Sequence, residues 1–388
     1  MKIIEVNDNR SLKAFHNVPR IIYNDDKNYV TPLRRSIEEV FNPEKNTQFR
    51  NGDANRWVLV DNNNNLYGRI AAFYNLDTAS LDAQPTGGCG FFECINNQAA
   101  ANRLFDVARN WLKEYGMEAM DGPINFGENF FNWGVLADGF VQQGYGMPYN
   151  KEYYKSLFEG YGFKTYYKQY TYELDITDPN LPARFWEIAA WVAKKPNYKF
   201  EHFTFSGQKK YIADFITIHE KAWKKHDNYK PIDPDDLKEL IAQSKFALEE
   251  DFIWFVYHKK EPVAFFMMIP DINQILKRLN GRMNWINIIR FLNMKRNKVI
   301  NRVRVLVMGV VPQFQRSGLE SGIFWHLRKT LLKKPWYNEM ELSWVGDFNH
   351  KMISLFEEVG GHHTKTHHTM RYLFDRNKAF ERAPVISD

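Results

Sequence analysis

The chain repeats itself, and that restricts its fold more than any other feature. The string SLFE occurs at residues 156–159 and again at 354–357, an offset of 198. Each copy is followed three residues later by a glycine, Gly162 and Gly360. Tyr154, Leu157, Phe158 and Tyr161 stand at i, i+3, i+4 and i+7, and Met352, Leu355, Phe356 and Val359 repeat that spacing. Each copy therefore predicts a short amphipathic helix closed by a glycine cap. A second pair keeps the offset: WVLVDNNNNLYGRIAAF from Trp57 and WFVYHKKEPVAFFMM from Trp254 both predict strand, polar turn, strand. Two features at nearly one offset indicate a duplicated unit.

Both halves then carry the same order of elements. Polar helices come first, at 11–41 and 207–247, followed by the hairpin and a further strand. An amphipathic helix follows. In the first half it places Ala101, Leu104, Phe105, Ala108, Leu112 and Tyr115 on one face and stops at Gly116; in the second it spans 318–333 and must end before Pro335. A strand (117–121; 340–345), the SLFE helix and a last strand (170–174; 369–374) complete each half. This order predicts an α/β fold, a mixed sheet with helices on both faces. The expected units are 1–175 and 176–388, joined by a linker at 175–198 that contains DPNLP; a chain of 388 residues suits two such units.

Charge is unevenly placed. Of a net +6, residues 271–304 hold nine basic residues against one acid, Asp271, which leaves the remainder of the chain slightly acidic. That stretch interrupts the second half between its hairpin and the next strand. It mixes the cations with Ile275, Leu276, Leu279, Trp285, Ile286, Ile288, Ile289, Phe291 and Leu292. As an insert at 270–304 it reads as a helical excursion on the core, as an amphipathic contact with an anionic membrane, or as cover for a long acyl chain. Nucleic acid receives the least weight. The start of the chain has no apolar core of signal-peptide length and no apolar run reaches about 18 residues, so the expectation is a cytoplasmic protein, at most peripheral at the inner membrane face. Cys89 and Cys94 read as reduced core thiols. HHTKTHH at 362–368 is not expected to hold a metal, since neighbouring histidines on a strand point to opposite faces.

The sharpest motif is VRVLVMGVVPQFQRSGLESGIFWHLRK from Val303: an alternating strand, a turn at Gln315, Arg316, Ser317 and Gly318, then a helix. Such a turn leaves backbone amides at a helix N-terminus, a natural anion site. The order strand, V-x-P, Q-x-x-G, helix, then ELSWVGDFN and SLFEEVG, resembles the Gcn5-related N-acetyltransferase (GNAT) superfamily. The resemblance implies two tandem GNAT-like acyl-CoA N-acyltransferase domains. It implies that Gln315, Arg316, Ser317, Gly318, Leu319 and Ser321 face the pyrophosphate of acetyl-CoA or a longer acyl-CoA. It implies that Val310 or Val311 polarises the thioester carbonyl, and that Asn349 opens the next helix. Glu320 stands where the family has Gly or Ala, and Phe356 where it often has a tyrosine acid. The first half has INNQAAANRL in place of the loop, so it is expected to shape structure or substrate. GPINFGENFFNWGVLADGF at 122–140, with GFFECIN, NKEYYKSLFEGYGF and LNGR, resembles a bacterial group of double-GNAT proteins with ceramide-forming members.

Near the second-half strand, Glu341 and Asp347 are the candidate bases, with Ser343 and His350 as relays; Glu341, Ser343 and Asn349 form the candidate catalytic set. Asn125 and Asn129 are candidate substrate contacts in a polar wall, against the plainer reading as turn caps. The expected activity is transfer of an acyl group from a CoA thioester to a small-molecule or lipid amine. Two alternatives stay open: an aminoacyl-tRNA-dependent transferase, and a non-catalytic ligand-binding protein.

Overall fold

The computed structural model of the chain describes residues 1–80, 84–223, 232–279 and 281–384. Residues 224–231 of the second polar helical stretch, Asn280 of the LNGR string and insert, and 385–388 of the second unit lie outside them.

Both expected hairpins form. β1 (Lys2–Glu5) pairs with β2 (Gly52–Val60), which turns at an Asn-rich loop into β3 (Leu66–Asn75). β4 (Thr86–Cys94) follows, then the helix Gln98–Glu114, β5 (Ala119–Gly122), the short β6 (Val135–Asp138), the helix Tyr154–Tyr161 and β7 (Lys164–Leu174). The second half runs β8 (Tyr198–His202), β9 (Ile253–His258), β10 (Glu261–Pro270), β11 (Arg302–Val310), the helix Leu319–Leu332, β12 (Glu339–Gly346), the helix His350–Glu358 and β13 (His362–Leu373). The apolar faces read from the sequence are buried at Ala101, Leu104, Phe105, Ala108 and Leu112 on one helix and at Leu157 and Phe158 on the SLFE helix, while Tyr115, expected on the first face, instead caps its helix and is exposed. Gly162 caps that helix at φ 109°, a left-handed conformation that suits glycine.

Residues 175–198, expected as a linker, instead contain the helix Ala183–Ala193. Its buried Trp186, Ala189 and Val192 repeat at helical spacing. The helix Leu319–Leu332 comes close enough here that a Cβ on Gly322 would lie 3.1 Å from Val192 and 2.7 Å from Phe200.

Among the described residues the strands form one 13-stranded sheet in the order β1-β2-β3-β4-β5-β13-β7-β12-β11-β10-β9-β8, with β6 on β13. The last strands cross over. β13, from the second half, pairs with β5 of the first (Met370 opposite Gly122), and β7, from the first half, pairs with β12 of the second (Met340 opposite Leu174). β13 and β7 also pair with each other, which closes the seam. Each half is thus completed by hydrogen bonds from the other, although the repeat reads as contiguous along the chain.

The seam carries a buried ionic cluster. Glu341 on β12 is fully buried and lies 3.2 Å from Arg304 Nε and 2.6 Å from Lys365 Nζ. Lys365 also meets Glu173 at 3.1 Å. Asp271, fully buried too, faces Arg302 at 3.6 Å and accepts the Tyr145 amide at 2.9 Å. Gly144 of the first half closes over this cluster: a Cβ there would stand 2.3 Å from Glu341 Oε1.

Candidate functional site

Two parallel strand pairs determine where this fold can open. β11 and β12 pair only at their base, Arg302 to Glu339 through Arg304 to Glu341, and then diverge toward their C-terminal ends. A bulge in β11, where Met267 faces Val307 but Met268 faces Val305, assists the divergence. Beyond the fork the chain turns through Pro312–Phe314 and enters the helix Leu319–Leu332 at Gly318, φ 75°. A slot between strand C-termini, faced by a helix N-terminus, favours an anionic carrier with an extended arm.

The loop side chains are tied inward. Gln315 Nε2 donates to the Val310 carbonyl at 3.3 Å, Ser317 Oγ donates to the Phe314 carbonyl, and Ser321 Oγ donates to the Gly318 carbonyl at 2.7 Å. Arg316 is exposed with φ 72°. No other side chain caps the helix, and the first amide returned to the preceding turn is that of Gly322, to Gly318 at 3.2 Å. The amides of Leu319, Glu320 and Ser321 have no acceptor within the helix. Burial lifts the Glu320 carboxyl above its ordinary value, with its own backbone amide acting the other way. The first turn of this helix therefore carries an acidic side chain of the protein itself.

Several expected roles change. The Val311 amide donates to the Val263 carbonyl at 2.9 Å, so it is spent within the sheet and cannot polarise a thioester. Glu341, expected as a base, is sealed under Gly144 between two cations, out of reach of an amine. Burial would raise its carboxyl, but Lys365 and Arg304 outweigh that and hold it below its ordinary value. Ser343 donates to the Leu306 carbonyl at 3.3 Å, from β12 to β11 just beyond their last paired residues. Asn349 caps the helix His350–Glu358 by accepting the Met352 amide at 3.2 Å. Asp347 is engaged elsewhere, accepting the Lys168 amide at 3.1 Å and meeting Arg382. Phe356 is buried edge-on to Tyr172. Asn125 and Asn129 line a separate cleft of about 470 Å³ beside Asp121 of the first half and Arg371 of β13, and the Asn125 amide also donates to the Glu128 carbonyl at 2.8 Å.

The first half has the same fork and fills it. β4 and β5 pair from Thr86 to Gly88 and then part. Asn132 enters the gap, accepting the Phe91 amide at 3.0 Å and donating to the Ile124 carbonyl at 2.7 Å. The Ile124 amide in turn donates to the Cys89 carbonyl at 2.9 Å. The following helix is capped by Asn97, which accepts the Ala100 amide at 2.9 Å. The side chain of Asn132 thus bridges the gap, and the helix end beside it is capped.

One polar centre escaped the sequence reading. Glu93, buried on β4, receives hydroxyl hydrogen bonds from Tyr23 and Tyr154, both at 2.7 Å, with Arg69 at 3.5 Å. Burial lifts its carboxyl above the ordinary value despite Arg69 and the two hydroxyls. A cavity of about 60 Å³ adjoins it, lined in part by Arg69, Phe91, Asn132 and Tyr149. The only local signal was an acid inside the apolar run GGCGFFECI; its partners lie 24 to 70 residues away.

Cys89 and Cys94 are buried free thiols, and burial raises both. Burial pushes His367 down to about 3 and His368 to about 4. Among the described residues no group of three or more His, Cys, Asp or Glu could hold a metal ion, and no helix is long and apolar enough to cross a membrane.

No family model matches the chain. It is 24% identical over 382 residues to "Bacterial ceramide synthase" of Caulobacter vibrioides, covering 95% of this chain and 96% of that one. It is 24% identical over 357 residues to "Protein YghO" of Escherichia coli, covering 90% and 89%. Among solved structures it matches a tandem GNAT protein from the clavulanic acid biosynthesis pathway at TM-score 0.56 and 10% identity, covering 96% of this chain and 98% of that one. A GCN5-related glucosamine N-acetyltransferase region of a fungal multi-domain protein matches at TM-score 0.58 and 12% identity, covering 96% of this chain and 38% of that one.

Proposed function

Because the chain has the tandem GNAT fold, we propose that it is an N-acyltransferase moving an acyl group from a CoA thioester to a lipid-like amine. The observation that carries this reading is the fork of β11 and β12 facing the uncapped N-terminus of the helix Leu319–Leu332. In this reading the amides of Leu319, Glu320 and Ser321 hold the diphosphate once Glu320 swings aside, and the thioester arm enters the fork beside Ser343. Val310 lies at the carbonyl. The amine nitrogen attacks that carbonyl and forms the C–N bond, the C–S bond breaks, and the proton the nitrogen loses passes by way of water to the departing CoA thiolate, since Phe356 has none to give. The protein contributes chiefly by holding the two reactants together. The full-length likeness to a ceramide synthase supports a lipid amine as acceptor. The first half, its own fork filled, walls the acceptor side. The two units are read as 1–175 and 176–388 with last strands exchanged, and the insert 270–304 is read as the contact of a cytoplasmic protein with an anionic membrane.

A second reading, ligand binding without turnover, is favoured by one observation: an acidic side chain, Glu320, stands in the first turn of this helix, where it would oppose a diphosphate. Thiol release from acetyl-CoA and from a long-chain acyl-CoA, with and without a sphingoid amine, separates the two. The proposal expects amine-dependent release, faster with the long chain. Replacing Gly318 by Trp should abolish binding, since its Cβ would already lie 3.3 Å from Val192. If neither thioester binds at millimolar concentration, the transferase reading fails; binding without release leaves the second reading.

A further inference from the structure

The helix Trp285–Arg296 of the insert lies inside out. Trp285, Ile288, Ile289 and Leu292 stand at i, i+3, i+4 and i+7, the spacing that ordinarily marks a core-facing stripe. Here the stripe faces solvent, with exposures of 71%, 45%, 59% and 49%. Asn287 and Phe291 face inward instead, and Asn284 caps the helix by accepting the Asn287 amide at 2.9 Å. The helix is therefore fully formed and anchored while its apolar face is bare.

Directly behind it is a cationic cleft of about 730 Å³. Its walls come from distant parts of the chain. Arg20 and Lys27 come from the N-terminal helical region, and Lys277, Arg278, Arg282 and Arg290 from the insert. Arg20, Tyr29, Thr31 and Arg282 also line an adjoining cleft of about 390 Å³. Among the described residues none of these six cations is in an ion pair. The one acid of the cleft, Asp26, is bound to Lys151 at 3.1 Å and to the Tyr149 hydroxyl. Six like charges around one hollow repel one another, and a phosphate would relieve that repulsion.

The two features share an element. Ile286 and Arg290 line the cleft, and Ile289 beside them belongs to the bare stripe. An anionic phospholipid at a membrane surface meets both requirements at once, offering a phosphate to the cleft and an acyl boundary to the stripe. We propose that this composite face docks on an anionic membrane, with a lipid phosphate drawn in between Arg20 and the arginines of the insert. This rests on the reading of the insert as a membrane contact and deepens it. The site is built equally by the N-terminal region, which the charge of the insert alone does not imply.

Flotation of the full chain at low salt tests the proposal. Vesicles of phosphatidylcholine alone are compared with vesicles of phosphatidylcholine and phosphatidylglycerol. The chain is expected to float only with the anionic vesicles. Ile289→Glu with Leu292→Glu, and separately Arg20→Glu with Arg278→Glu, are each expected to lower the bound fraction by about tenfold, as loss of the apolar and charge contributions predicts. All four positions are exposed, so folding is expected to survive, and circular dichroism checks it. Transfer to a soluble amine is expected to be unchanged in both pairs, so failure of docking and failure of the acyltransferase reading are read separately. Three results overturn the proposal. One is flotation that survives the Arg20 pair, which would make the insert alone sufficient. A second is tight binding of glycerol phosphate in calorimetry without flotation, which would make the cleft a site for a free phosphate compound. The third is a dimer that Ile289→Glu dissociates in sedimentation, which would assign the stripe to a second copy.

Discussion

Replacing Glu341 by glutamine is expected to lower the unfolding free energy by about 3–5 kcal/mol, the usual cost of breaking a buried ion pair by removing one partner. The carboxylate is fully buried, and it is shared by Arg304 at 3.2 Å and Lys365 at 2.6 Å. Glutamine keeps the shape and removes the charge, so two buried cations lose their shared anion. Lys365 retains only Glu173, at 3.1 Å. The sign of the pH dependence follows. Because the folded carboxyl is held below its ordinary value of 4.5, its contribution is fully present above that value. It is lost as the pH falls through the lower, folded value. The glutamine variant should lack this acid-side loss. Urea unfolding followed by tryptophan fluorescence checks both points. A variant as stable as the parent but with kcat abolished would instead make Glu341 the base and would contradict its place in the seam.

The second large effect is expected at Glu320. Replacing it by glycine should tighten CoA binding by at least about tenfold, or roughly 1.4 kcal/mol. A carboxylate roughly 5 Å from one charge of a diphosphate opposes it by about 3 kcal/mol at an effective dielectric constant near 20, less screening by salt. Glycine in the first turn gives back up to about 1 kcal/mol in helix stability, which does not reverse the sign for binding. Because burial raises the Glu320 carboxyl, the parent should bind CoA more tightly as the pH is lowered through that titration, and the glycine variant should not follow. Calorimetry with CoA at two pH values measures both. Equal affinities would place the diphosphate away from this helix end.

Local patterns were legible and distant ones were not. The hairpins at Trp57 and Trp254, the SLFE helices and the turn at Gly318 each lie within a window of about twenty residues, where periodicity and glycine carry the signal. The exchange of β7 and β13 involves hydrogen bonds between strands about 200 residues apart, such as His368 opposite Lys168, and no local pattern encodes it. The same exchange buries Glu341, which looked like an accessible acid on its strand. DPNLP marks 175–198 as a linker, yet the apolar spacing of Trp186, Ala189 and Val192 immediately after it is the helix signal. The stripe from Trp285 to Leu292 was legible as residues but not as a direction, because periodicity names a face and cannot say what the face meets. The Glu93 centre needs Tyr23, Arg69 and Tyr154 brought together by the fold. At Glu320 the sequence showed a departure from the small residue of related loops, and the burial that raises its carboxyl comes from the fold.

The second fork, and not the filled first one, is expected to receive the thioester carrier. Amide hydrogen exchange with and without a long-chain acyl-CoA tests it residue by residue. The prediction is added protection at Leu319, Glu320 and Ser321 and along Leu306–Val310 of β11, with Phe91 and Asn132 unchanged. Protection appearing at Phe91, Ile124 and Asn132 while the helix end at Gly318 stays open would contradict it.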